Sequence, residues 1–216
     1  RGPDSACFAI YSPEKKNRYK YSVCFSETSA KEIKSQIIKK IKDAKIKVIA
    51  DHLIIETTLT PAKVLDIIKT LKNLSLVGYG NSIEIFKQVG NPKDVVKNFN
   101  LEKFSGTHAI GHTRMATESA ITTDGSHPYS TGKDECLVHN GSLSNHNNLR
   151  RTLKKRGIEI RSQNDTEVAA GYISSGLLNK KSLKETLIDG LKDLDGCYTF
   201  ISGTKSGMAL SLIHIS

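Results

Sequence analysis

Apolar residues recur at three- and four-residue intervals in two stretches, Ile33, Ile37, Ile38, Ile41 and Val64, Leu65, Ile67, Ile68, Leu71. That spacing puts each set on one helical face. It predicts a helix over 29–42 and another opened by Thr60, with Pro61 at a first helical position where its missing N–H does no harm. Runs rich in β-branched and aromatic residues predict strands at 8–11, 19–25, 46–50 and 52–57. A further strand pair, 75–79 and 83–89, is turned by Gly80 and Asn81. After Gly90 and Pro92 come helices at 93–99, 144–156 (Leu149 and Leu153 inward, stopped by Gly157), 166–178 and 183–191, then strands at 197–202 and 208–212.

The succession strand, helix, strand, strand, helix, strand predicts a βαββαβ subdomain over 19–98, inserted between strands of a larger domain that occupies 1–216. A chain of 216 residues with 38% hydrophobic content can bury one good core and still carry such an insertion. No apolar run approaches the roughly 20 residues that span a bilayer, so the expectation is a cytoplasmic protein without a membrane partner. The net charge of +10 comes mostly from lysine and invites a nucleic-acid reading. Few aromatics are interleaved for base stacking, however, and the lysines of 13–47 fall at solvent-facing helical spacings, which points to a solvated basic face and no nucleic acid. Cys7, Cys24, Cys136 and Cys197 lie scattered among apolar neighbours and read as buried thiols; neither they nor the seven histidines have metal-ligand spacing. His112, His127 and His139 are expected to make structural hydrogen bonds.

Three polar clusters stand out against this background: GHTRMAT at 111–117, LVHNGSLSN at 137–145 and NDTEV at 164–168. Arg114 at a strand end can grip a carboxylate by two parallel hydrogen bonds, or serve in an ordinary ion pair. Asn140 and Gly141 can aim a side-chain amide and an unshielded backbone N–H at one oxygen, as in an oxyanion hole, or form a hairpin turn. Asp165 can accept from an ammonium group or cap the helix that follows it. Together the three could hold an amino acid.

In this order, with their flanking residues, the clusters resemble the glutaminase domain of class II glutamine amidotransferases, a branch of the N-terminal-nucleophile hydrolases. The resemblance implies an α+β fold, an αββα sandwich of two sheets between helix layers, here with the ferredoxin-like βαββαβ subdomain inserted. It implies that Arg114 binds the glutamine α-carboxylate with Thr117 assisting, that Asn140 and Gly141 form the oxyanion hole, and that Asp165 binds the α-amino group. Ammonia released from glutamine would pass to an acceptor on another domain or a synthase subunit, and no cofactor is implied. The wording is nearest to glutamate-synthase-like amidotransferases, including the N-methylglutamate synthase subunit.

Arg1 to Cys7, RGPDSAC, also resembles a family segment, one that lies some tens of residues beyond a first-residue cysteine. That cysteine attacks the amide while its own α-amino group serves as base. Cys7 has no free amine and stands where the family has glycine, so the sequence reads as incomplete at both ends, without its nucleophile, inactive alone, and with non-native residues closing it at 212–216. A glutamine-binding regulatory module and an N-terminal-nucleophile peptidase or acylase remain alternatives.

Overall fold

The computed structural model describes residues 2, 4–114, 122, 123 and 125–213. The chain runs through β1 (Ser5–Tyr11), β2 (Tyr19–Phe25), α1 (Ala30–Lys40), β3 (Lys45–Ile49), β4 (His52–Thr57), α2 (Pro61–Lys69), β5 (Leu74–Gly80), β6 (Ile83–Val89), α3 (Pro92–Phe99), β7 (His108–Arg114), β8 (Glu135–Leu143), α4 (His146–Lys155), α5 (Asp165–Leu178), α6 (Leu183–Asp193), β9 (Gly196–Thr204) and β10 (Gly207–Ile213).

Strand β1 is buried along its whole length. Its alternation sends Ala9 and Tyr11 one way and Ala6, Phe8 and Ile10 the other, so the fold must supply a layer on each side. In its own plane β1 pairs antiparallel with β6 and β7. On one side Ala9, Tyr11, Ile83, Ile85 and Ile110 pack against Cys136 and Val138 of a second antiparallel sheet, β8-β9-β10. On the other, Phe8 and Phe86 pack against Val95 and Phe99 of α3. The outer face of β8 and β9, with Leu137, Leu143, Tyr198 and Phe200, is covered by Ala169 and Ala170 of α5. The layers are therefore α, β, β, α, as the motif resemblance implied.

A separate four-stranded antiparallel sheet has the order β3-β4-β2-β5. This is the ferredoxin-like arrangement for a βαββαβ chain. The two helical periodicities explain its core: Ile33, Ile37, Ile41, Val64 and Ile68 lie over Tyr21, Val23, Leu53 and Ile55. Burying each such aliphatic side chain is worth about 1.5–3 kcal/mol. Ser29 caps α1 by accepting from the Glu32 N–H, and Pro61 opens α2 as expected.

The strand pair expected across Gly80 and Asn81 is divided between the two units: β5 pairs with β2 and β6 with β1. Asp134 holds this crossover. Its carboxylate accepts from the N–H groups of Asn81, Ser82 and Ile83 at 2.9, 2.7 and 3.2 Å. A Cβ on Gly80 would lie 1.9 Å from Asp134 Oδ1, so only glycine lets the carboxylate in. The expectation of four buried thiols holds for Cys7 and Cys136; Cys24 is half-buried and Cys197 exposed. On β9 it is Tyr198 and Phe200 that turn toward α5, leaving Cys197 on the opposite face. Among the described residues no helix is long and apolar enough to cross a membrane.

Candidate functional site

Arg114 closes β7, on the strand face that carries Ile110 and His112. The start of the chain runs beside it: Asp4 N–H donates to the Arg114 carbonyl at 3.1 Å. Gly2, at φ +90°, is so close that a Cβ there would lie 2.8 Å from the Thr113 carbonyl. The guanidinium donates through Nη1 to the Gly125 carbonyl at 3.0 Å, in the segment leading to β8.

Asn140 and Gly141 do not form a turn. Both lie within β8, opposite Thr199 and Tyr198 of β9. Gly141 has φ +126°, and a Cβ would meet the Cys197 carbonyl oxygen at 2.1 Å, so the close strand approach and the backbone angle both demand glycine. Asn140 continues the face of Cys136 and Val138, which packs on Ile110. The strands also run the same way: His108 Nε2 bonds to the Thr204 carbonyl at 2.9 Å and, further along β7, Ile110 reaches Gly203, while Thr204 and Gly203 lie opposite Glu135 and Cys136 in that order. From these matched starts, Arg114 is six residues on and Asn140 five, about 20 and 17 Å at the rise of a strand. Both therefore emerge at one end of the sandwich.

Asp165 reaches that end from the other side of β8. Asn164, not Asp165, caps α5, its side chain accepting from the Thr166 N–H at 2.8 Å. This leaves the Asp165 carboxylate free of the capping role. Its Oδ2 accepts from the Leu143 N–H at 3.0 Å, while Oδ1 lies 3.7 Å from His139 Nδ1. The positive end of the α5 dipole favours the negative charge there.

Three histidines fill the space between these parts. His112 and His127 meet edge to face with ring centroids 4.5 Å apart. His127 Nε2 and His139 Nδ1 both contact Thr166 Oγ1, at 2.8 and 2.9 Å, which bears out their structural reading and adds Thr166, a residue the sequence singled out only as part of a motif. Burial, reinforced by neighbouring cations, pushes His127 down to about 2 and lowers His112; burial also lowers His139, opposed by Asp165. Cys7, paired with His112 across the sheet, is buried, and desolvation raises its thiol pKa against the opposing pull of Lys87 and Arg114. A thiol held protonated in mid-strand is a poor nucleophile.

The polypeptide thus brings Arg114, Asn140, Gly141 and Asp165 to one end of the sandwich, whereas Thr117 falls outside the described residues. Two adjoining cavities of about 150 and 400 Å³ lie elsewhere, between β5 and the 129–135 segment, and are lined by none of these four.

Sequence comparison gives the arrangement a family. The glutamine amidotransferase domain family matches residues 100–206. The chain is 44% identical over 216 residues to the glutamine amidotransferase-like protein GlxB of Rhizobium meliloti, covering 97% of this chain and 71% of that protein. It is 32% identical over 149 residues to the glutamine–fructose-6-phosphate aminotransferase (isomerizing) of Methanococcus maripaludis, covering 62% of this chain and 25% of that one. In three dimensions it superposes on the solved structure of the allosteric regulatory enzyme of purine biosynthesis with a TM-score of 0.52 and 20% identity, a likeness of fold alone. The alignment takes in 96% of this chain but only 37% of that longer one. The chain belongs to the glutamine amidotransferase family, with the class II, N-terminal-nucleophile type of fold its motifs implied.

Proposed function

We propose that this domain hydrolyses the side-chain amide of glutamine and releases ammonia to an acceptor on another domain or subunit. The observation that carries the reading is the convergence of an arginine, and of an aspartate that does not cap its helix, on the strand end that holds Asn140 and Gly141. A free amino acid is a zwitterion, and a forked cation facing a carboxylate matches both of its charges. Arg114 takes the α-carboxylate, Asp165 the α-ammonium group, and Thr117 assists.

With the backbone gripped in this way, the amide carbonyl is presented to the Asn140 amide and the Gly141 N–H. A cysteine thiolate at the mature amino terminus, its proton taken by its own α-amine, attacks the carbonyl carbon. The tetrahedral oxyanion is stabilised by the two donors, ammonia departs with a proton, and water releases glutamate from the thioester. Cys7 is buried and internal, so it is assigned no part in this chemistry.

The four-stranded unit is the inserted subdomain of 19–98, supported by its own sheet and its own core, and we assign it to docking with the ammonia-accepting partner. We place the protein among glutamate-synthase-like systems on the resemblance of its motifs. Titration calorimetry with L-glutamine tests the core of the reading. Binding to the full-length gene product that disappears in Arg114→Ala and in Asp165→Ala supports it, and wild-type affinity in both variants rejects it. Glutamate release by the same wild-type protein separates a glutaminase from a module that only binds glutamine.

A further inference from the structure

We propose that the Thr166 hydroxyl is the positioning residue of this site: it accepts N–H from both His127 Nε2 and His139 Nδ1 and turns its own proton to Asp165, holding the two histidines as opposite tautomers. The inference rests on the reading of Arg114 and Asp165 as the grips on glutamine, and extends it to what holds them in place. Thr166 is buried, at 1% exposure. Its Oγ1 has three neighbours: His127 Nε2 at 2.8 Å, His139 Nδ1 at 2.9 Å and Asp165 Oδ1 at 3.5 Å. A hydroxyl carries one proton and two lone pairs.

The other ring atoms decide where that proton goes. His127 Nδ1 and His139 Nε2 are buried and have no hydrogen-bond partner among the described residues. Were Thr166 to donate to His127, the ring proton would sit on Nδ1 as an orphaned buried donor; were it to donate to His139, the proton would sit on Nε2 in the same state. Orphaned buried N–H groups are the rarer and costlier arrangement. A bare His139 Nδ1 would also turn its lone pair toward Asp165 Oδ1, 3.7 Å away. With both rings donating, the orphan atoms are lone pairs, His139 presents N–H to the carboxylate, and the Thr166 proton has Asp165 as its remaining acceptor. The lowered pKa values of both histidines agree with neutral rings.

Three parts of the site meet at this oxygen. His127 is two residues from Gly125, whose carbonyl takes Arg114; His139 precedes Asn140; and Thr166 follows Asp165. Losing the hydroxyl should loosen the spacing between the two grips while leaving the oxyanion donors on β8.

Histidine ring nitrogen NMR on the full-length wild-type protein, assigned with His127→Gln and His139→Gln, tests the hydrogen-bond pattern without any ligand. The expected result is a neutral Nε2–H ring for His127 and a neutral Nδ1–H ring for His139 near neutral pH. The opposite tautomer in either ring, or a charged ring, overturns the proposal. Thr166→Val should raise KM for glutamine about tenfold or more, the worth of a hydrogen bond to a charged group, with a smaller change in kcat, and Thr166→Ser should restore both. Unchanged KM and ring signals in Thr166→Val would also overturn it. If the tautomers are as stated but wild-type protein does not bind glutamine, the hydroxyl hub stands and the amino-acid reading of the site fails.

Discussion

The Leu143 N–H donates to Asp165 Oδ2 at 3.0 Å, tying the end of β8 to the first residue of α5. One carboxylate oxygen thus has a structural duty and the other faces the histidines and, on the proposed function, the ammonium group of glutamine. The two duties can be separated by substitution. Asp165→Asn keeps an acceptor for Leu143 and removes the charge, so urea unfolding should move by less than about 1 kcal/mol while calorimetric glutamine binding is lost. Asp165→Ala orphans the Leu143 N–H and should cost about 1–3 kcal/mol besides. Glutamine binding retained in Asp165→Asn would remove the aspartate from the ligand.

Asn164 relieves Asp165 of the cap. In Asn164→Ala the Thr166 N–H loses its partner, at a cost of about 1 kcal/mol. Asp165, now the nearest side-chain oxygen, should swing toward the helix N-terminus and away from the site. The expected outcome is a rise in KM for glutamine larger than that stability loss explains, read from paired unfolding and steady-state measurements; a stability loss with KM untouched would show that the cap and the ligand contact are independent.

Gly141 admits no side chain without displacing the backbone of β9, because the nearest atom to an added Cβ is the Cys197 carbonyl oxygen at 2.1 Å. Gly141→Ala should lower stability by about 2 kcal/mol or more, from steric overlap and the left-handed backbone angle together. Asn140, by contrast, is exposed and has room. Asn140→Ala should leave the melting transition in place and lower kcat by about a hundredfold or more, the usual penalty for a missing oxyanion donor. An unaltered kcat would exclude Asn140 from that role.

Buried ionisable groups pull stability in opposite directions with pH. Burial pushes the Glu135 carboxyl from 4.5 up to about 8, against the Ser174 hydrogen bond, so the folded state keeps a proton the unfolded chain releases. Its contribution is present in acid and is lost as pH rises from 4.5 to about 8. His127 behaves conversely: with its folded pKa lowered from 6.5 to about 2, stability is full above 6.5 and is lost as pH falls below it. Glu135→Gln should therefore be close to neutral at about pH 5 and stabilising by roughly 1.4 kcal/mol per pH unit through the window above it. Chemical unfolding across pH checks this, and a benefit that does not grow with pH would mean Glu135 is ionised in the fold.

Asp134 links the two units through three backbone N–H groups at the β5–β6 crossover. Asp134→Ala would leave those buried donors unpaired and is expected to cost several kcal/mol, at about 1–3 for each orphaned group. Hydrogen exchange should show the loss concentrated at 80–83. Uniform exchange across the chain would place the anchor elsewhere.

What could be read from residues alone was whatever depends on near neighbours. The spacing of Ile33, Ile37 and Ile41, the Pro61 start and the alternation of Tyr19–Phe25 placed helices and strands where they lie, because a helix face and a strand face are each set within a few positions of the chain. The motif residues Arg114, Asn140, Gly141 and Asp165 were visible for the same reason. The folded structure decided matters of partnership. Ile83–Val89 was a legible strand, but its pairing with β1 rather than β5 depends on register and on Asp134, some fifty residues downstream. Whether Asp165 or Asn164 caps α5 is undecided locally, since both side chains can accept; the Leu143 N–H settles it from across the fold. Thr166 as a meeting point of His127 and His139 could not be anticipated at all, because a hydrogen bond is specified by position in space and these three residues share none until α5 has packed on β8 and the segment before β8 has closed on both.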